Sequence, residues 1–399
     1  MSYSKPLSYE SIKTLLSHLE PNTRFRLVRH CPALAKTDKI VPLKIKMLLM
    51  EEDGEFTINE HVYKFGIYRK YPMGAQVPLF HQNENDDGGS DQDLDIYGCP
   101  KFLSESRSIC QRVFCEIQCS EEDKLEHSRA ETENESLEYR RDNQLPPYEL
   151  LLQLTVTSPG GTSIERYKRT ATILEARESL ENSLFCDRSL PVSVDLFSIS
   201  NRTFKETQKM KFLIRHLETT NHDSLENIAL VIDGNNGPLK SLRTWLDIGS
   251  VIRRGHPLAL QADTLISYQR FPLDWITKAL ELPNKHIQIE YESYREDRTD
   301  LEEFFERIIQ HWKDIRCEVG TSFSIIFWNM KVKWLKDCIC RIFENVMKIH
   351  KKKMLKIPLI NNKRVHVTFG TKTFDRNTPC LTQQPGVVYQ VMKMEVISL

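Results

Sequence analysis

The chain has 399 residues, enough for two or more domains. Lys plus Arg and Asp plus Glu are equal at 55 each, so no net field draws the chain to nucleic acid or anionic membrane, and its longest apolar runs are too short to span a bilayer. The opening MSYSKPLSYE lacks the apolar core of a secretory signal. We therefore expect a cytoplasmic or nuclear protein, with no membrane partner, whose ten cysteines are reduced thiols.

Residues 6–38 carry a helical pattern. Ile12, Leu15, Leu16 and Leu19 recur at helical spacing behind Ser8, a suitable N-cap. Pro21-Asn22 breaks this helix, TRFRLVRH starts a second, and Pro32 suits the first position of a third short turn. Residues 41–70 read as a β hairpin. VPLKIKMLLM alternates and then runs apolar, Asp53-Gly54 supplies a turn signal, and FTINEHVYKFGIYR is rich in β-branched and aromatic side chains.

HQNENDDGGSDQDLD (81–95) and SEEDKLEHSRAETENESLEYRRDNQ (120–144) are charged, have no apolar stripe and read as a mobile, partly disordered insertion. Between them, SICQRVFCEIQC reads as a short strand or helix. From residue 146 the chain regains core character. YELLLQLTVTS and IERYKRTATIL are predicted to form a hairpin about the turn SPGGTS. VSVDLFSI, KFLIRHLET, NIALVID, LALQADTLI and HIQIEYES follow as predicted strands, and residues 272–282, 300–315 and 332–353 as predicted helices. KIPLINNKRVHVTFG and GVVYQVMKMEVISL close the chain as strands. The expectation is an α+β protein: a helical module (1–40), a β hairpin (41–72), a polar insertion (73–145) and a larger C-terminal α/β domain (146–399). The recurring short strands between 190 and 295 leave open an irregular leucine-rich-like stack beside a plain α+β sheet.

Few motifs carry chemistry. Cys110, Cys115 and Cys119, with Cys99 and His127 flanking them, fit structural thiols better than the paired spacing of a zinc site, and Cys338 and Cys340 fall on different sides of a helix. NENDDGGSDQDL places Asn83, Asn85, Asp87 and Gly88 like the start of a calcium loop, but Leu94 stands where a bidentate glutamate belongs. SPGGTS and DGNNG are turns, not phosphate cradles. His30, His216, His311 and His366 are scattered, and each has a surface or packing explanation. KIHKKKMLK lacks the interleaved aromatics of a nucleic-acid platform. No cofactor, metal or catalytic residue is expected.

Residues 6–38 resemble an F-box. The features are Pro6-Leu7, Ile12, Leu15-Leu16, Leu19, the break at Glu20-Pro21, then Phe25, Leu27 and Val28. The wider stretch is similar to a large nematode family of uncharacterised proteins, known as a domain of unknown function and related to F-box and F-box-associated proteins. The features are Leu7-Ser8-Tyr9, Leu19-Glu20-x-Asn22-x-Arg24, Cys31-Pro32-Ala33-Leu34 and Pro42-Leu43-Lys44-Ile45. The tryptophan that many F-boxes carry after the second helix is absent. The resemblance implies a non-catalytic substrate-recognition adaptor of a cullin ubiquitin ligase. Pro6, Leu7, Ile12, Leu15, Leu16, Leu19 and Leu27 would bind a Skp1-like adaptor, and the C-terminal domain an unknown protein substrate. The alternative is an interaction or scaffold protein with no ubiquitin role, in which those leucines pack against the β segment that follows.

Overall fold

Capping chemistry fixes the first helices. In the computed structural model the Ser8 hydroxyl accepts from the Ser11 N–H and opens α1 (Tyr9–His18). The Glu20 carboxylate accepts from the Thr23 N–H and opens α2 (Pro21–His30), with Pro21 at its first position. A 3-10 turn (Pro32–Leu34) leads into α3 (Ala35–Ile40). The structure describes residues 7–51, 55–101, 121–200, 204, 209–219, 223–244, 255–269, 282–291, 303, 306–308, 310–312, 318–327, 337, 339–341, 347–349, 354–359, 362–373 and 388–398. The predicted turn at Asp53-Gly54, residues 272–281 of the helix predicted at 272–282, the region 108–119 and Pro6 lie outside them.

The chain divides into two compact units. The first comprises Met1–Val192 with Thr207–Lys211 and the second Ser193–Glu206 with Phe212–Leu399. In the first, β1 (Lys44–Met50), β2 (Glu55–Ile58), β3 (His61–Lys70), β4 (Glu149–Ser158) and β5 (Gly161–Lys168) form an antiparallel meander in chain order. Alternation sends Leu48 and Met50 inward from β1 and Phe56 and Ile58 inward from β2, and Ile45 is buried as well, out of phase with Leu48. Phe56 stacks on its cross-strand partner Tyr63 at 4.9 Å.

The predicted insertion is more ordered than its composition suggests. Residues Leu79–Asp86 form α4 and Glu121–Arg141 form α5, a helix of 21 residues. The charged stretch shows no apolar stripe because the stripe is polar. Ser128, Thr132 and Ser136 recur every fourth residue and are the buried positions among 124–141. Asn85, a candidate calcium ligand in the sequence, instead satisfies the backbone of β3: its amide donates to the Arg69 carbonyl at 2.9 Å and its carbonyl accepts the Arg69 N–H at 3.0 Å. The strand predicted over IERYKRTATIL ends at Lys168. Thr172 and Glu175 then form a capping box that starts α6 (Ile173–Phe185), which was not predicted.

In the second unit β6 (Val192–Ile199, its first residue counted with the first unit) lies beside β7 (Phe212–Thr219). The order continues β8 (Ser241–Thr244), β9 (Thr264–Gln269), β10 (His286–Tyr291) and β11 (Ser322–Phe327). From β7 to β11 each neighbouring pair is parallel and follows chain order. β15 (Val388–Ser398) then pairs antiparallel with β11, followed by β14 (Lys363–Thr373), β13 (Met354–Pro358) and β12 (Met347–Ile349). Three predictions are corrected here. The start of NIALVID belongs to α7 (Asp223–Ala229), whose Leu225 and Ile228 are buried. LALQADTLI holds a one-turn helix at Pro257–Leu260 before β9 begins at Thr264. The helix predicted over 332–353 gives way to β12, which pairs with β13. The described residues between 303 and 312 are helical, as predicted. Registered rows cross the parallel strands. Leu217, Leu242, Leu265, Ile287 and Phe323 form one row, and all are buried.

Candidate partner-binding surfaces

The helical module is bolted to the first unit by polar contacts. Arg24 is buried, with 1% of its surface exposed, although a guanidinium is costly to remove from water. Its compensation is complete. It ion-pairs with Asp38 and donates to the carbonyls of Val41 and Pro42, each at 2.8 Å, and of Asp38 at 2.6 Å. Asp38 also receives Arg188 Nη2 at 2.7 Å. Burial pulls the Arg188 guanidinium below its ordinary value, and Asp38 opposes that shift. Asn22 makes a second tie: its amide donates to the Ile58 carbonyl at 3.0 Å and its carbonyl accepts the Tyr63 hydroxyl at 2.8 Å. Glu20 accepts from the Asn59 amide at 2.9 Å, and Asn59 turns the β2–β3 hairpin in the left-handed region at φ 55°.

This anchoring sorts the apolar residues of the opening segment. Leu16 is fully buried, at 0% exposure, and belongs to the core. Ile12, Leu19 and Leu27 are half-buried. Leu7 and Leu15 are exposed at 61% and 42%, and Tyr9 lies exposed between them in sequence. The expected set of seven is therefore not one face. Among its described members the outward part is Leu7 and Leu15, with Tyr9, which the pattern had not singled out.

The second unit carries a different surface. On β7–β11 the residues alternating with the buried rows are mixed: His216, Glu218, Ser241, Arg243, Thr264, His286, Gln288 and Ser324 are polar and half-buried, Ser322 and Glu290 are buried, and Ile266 and the fully buried Ile326 are apolar. One row runs His216, Ser241, Thr264, His286, Ser322, and its histidines bond to serines on the following strand. His216 Nδ1 lies 2.7 Å from the Ser241 hydroxyl, and His286 Nδ1 lies 2.8 Å from that of Ser322. Burial lowers the affinity of both imidazoles for a proton. Two positions along, Arg243 on β8 holds two carboxylates. It donates to Glu290 at 2.7 and 2.8 Å and lies 3.1 Å from Glu218. Burial pushes the Glu218 carboxyl up to about 7; Arg243 opposes this and Glu290 adds to it. Only β6, β7, β9 and β10 of this face were legible as strands. β8 is four residues long, below the length at which alternation is diagnostic, and SFSIIF of β11 reads as a plain apolar run.

Such a face offers donors, acceptors and one compensated charge cluster on a rigid sheet. Cys110, Cys115, Cys119 and Cys338 lie outside the described residues, and among those described no three His, Cys, Asp or Glu side chains converge on a metal position. No helix among the described residues is long and apolar enough to cross a membrane.

Residues 172–329 match a family described as a domain of unknown function (DUF3557). The matched stretch starts at the N-cap of α6 and takes in β6 through β11, so it contains the polar strand face. It does not reach residues 6–70, where the family resemblance expected from the sequence is placed. No curated protein matches the chain. No solved structure matches it.

Proposed function

We propose that the protein is a non-catalytic adaptor of a Skp1-cullin-type ubiquitin ligase. The exposed apolar residues around α1 engage a Skp1-like protein, and the polar strand face of the second unit receives a protein substrate. The observation that carries this reading is the split within one helix: Leu16 anchors α1 in the core while Leu15, its neighbour, stays 42% exposed with Leu7 and Tyr9. Exposed apolar side chains on an anchored helix are available to a partner. The ordered parallel strands supply the second half. Their rows present donors and acceptors to one side, and the sequential parallel pairing from β7 to β11 supports reading them as a leucine-rich-like recognition stack.

A second reading has its own support. Leu16 and the Arg24 and Asn22 ties make the helices part of the first unit, as in a scaffold protein with no ubiquitin role. A titration of the full chain with a purified Skp1 protein, wild type beside a Leu7→Asp/Leu15→Asp double variant, separates the two. Saturable binding lost in a variant that melts like wild type favours the adaptor. No binding by wild type favours the scaffold.

A further inference from the structure

The first unit holds a cleft of about 740 Å³ between α4, α5 and the chain on either side of β3 and β4, which the adaptor reading leaves unused. One wall is aromatic. The rings of Tyr71 and Tyr148 lie 5.0 Å apart, and His81 sits 6.1 Å from the first and 5.6 Å from the second. Tyr139 comes in half-buried from α5. The buried hydroxyl stripe of α5 faces the same space.

The charges there are uneven. His81 is buried and bonded through Nδ1 to the Tyr71 hydroxyl at 2.7 Å; burial drives its pKa down to about 3, so the floor carries no imidazolium. Arg69, beneath the wall, is paired with Glu84. At the rim Glu131 lies 3.0 Å from His127. Glu135 has no ion-pair or hydrogen-bond partner among the described residues, and its charge reaches the Tyr71 hydroxyl, as do Tyr139 and Tyr148. The enclosed Tyr148 hydroxyl makes no hydrogen bond of ordinary geometry there, although Ser136 and Arg69 are near it.

Three tyrosine rings beside an unpaired carboxylate, over an uncharged His81, favour a positive organic group, although Lys124 of α5 also lines the cleft. An ammonium gains from the ring quadrupoles and from the carboxylate together. An anion would meet Glu135 with Arg69 already engaged. The volume is that of a site for a whole small ligand or a side chain with its flanking backbone. We propose that this cleft binds an organic ammonium group, seated between the Glu135 carboxylate and the rings of Tyr71, Tyr139 and Tyr148.

The source could be a free alkylammonium or a lysine side chain, and calorimetric titration of the full-length chain distinguishes them. The probes are tetramethylammonium chloride, N-acetyl-lysine methylamide and its uncharged counterpart N-acetyl-norleucine methylamide, at fixed ionic strength. The expected result is saturable binding of at least one cation, about tenfold tighter than the norleucine probe. Glu135→Gln, at an exposed position that leaves the fold intact, weakens it about fivefold or more. Tyr139→Leu weakens it as well, while Tyr148→Phe, which keeps the ring, does not. Binding of tetramethylammonium assigns a free ammonium, and binding of the lysine probe alone assigns a side chain with its backbone. Equal binding of the norleucine probe, cation binding indifferent to both Glu135→Gln and Tyr139→Leu, or no saturation by either cation up to about 10 mM overturns the proposal.

Discussion

Two consecutive leucines of α1 should respond to substitution in opposite ways. Leu16 has no exposed surface, and its carbonyl lies 3.5 Å from Arg24 Nη1. Replacing it with alanine removes buried methyl groups and leaves a cavity, a cost of about 2–5 kcal/mol. For a unit of 150–250 residues each kcal/mol lowers Tm by about 2–4 °C, so Leu16→Ala should melt lower by roughly 4–20 °C. Leu16→Asp adds a buried unpaired charge and should leave the first unit unfolded or nearly so. Leu15, 42% exposed, should change Tm by less than about 2 °C on replacement by Ala or Asp, because a surface change is usually worth within about 0.5 kcal/mol. Circular dichroism melts and urea midpoints of the four variants test this. Equal losses at the two positions, or a Leu16→Asp protein as stable as wild type, would refute the placement of α1. The consequence for function is direct: Leu16→Asp cannot report on binding, and Leu7 and Leu15 are the positions that can.

Asp38→Ala strands the guanidiniums of Arg24 and Arg188 in a buried site and should lower stability by about 3–5 kcal/mol, read from the urea midpoint. Gly98 sits at φ 84°, and a Cβ there would clash with the Tyr148 hydroxyl. Gly98→Ala should therefore destabilise by about 2–4 kcal/mol, and Tyr148→Phe in the same chain should recover the part due to the clash. Glu218 binds its proton more tightly folded than unfolded, with its pKa raised from 4.5 to about 7. Its contribution is present below pH 4.5 and lost as pH rises through about 7. Glu218→Gln should flatten the stability profile of the second unit across that window, and an unchanged slope would contradict the burial of the cluster.

Legibility in the sequence followed the kind of residue that was buried. The helices of residues 9–30 and the strands β3, β4 and β15 announce themselves because leucines, prolines and β-branched side chains sit at regular spacing. α5 was missed because its buried face is Ser128, Thr132 and Ser136, which no hydrophobic pattern detects. α6 was missed because its buried set includes Arg177 and Glu181, paired one turn apart on the inward side, so charge there does not mean exposure. The parallel strands left a partial trace: the recurrence of short strands between 190 and 295 was legible, and Leu217, Leu242, Leu265 and Ile287 fall at intervals of about two dozen residues on four of them. The cleft could not be read at all. Tyr71, His81, Glu135 and Tyr148 come from four separate stretches, and only the packing of α4 and α5 brings them to one space.

We propose that the outward residues of the anchored α1 recruit a Skp1-like protein. The most direct measurement is a calorimetric titration of the full chain with purified Skp1 protein, wild type beside Leu7→Asp/Leu15→Asp. Wild type should bind saturably and one-to-one, and the double variant, melting like wild type, should not bind. Absence of wild-type binding, or binding undiminished in the double variant, would contradict the proposal.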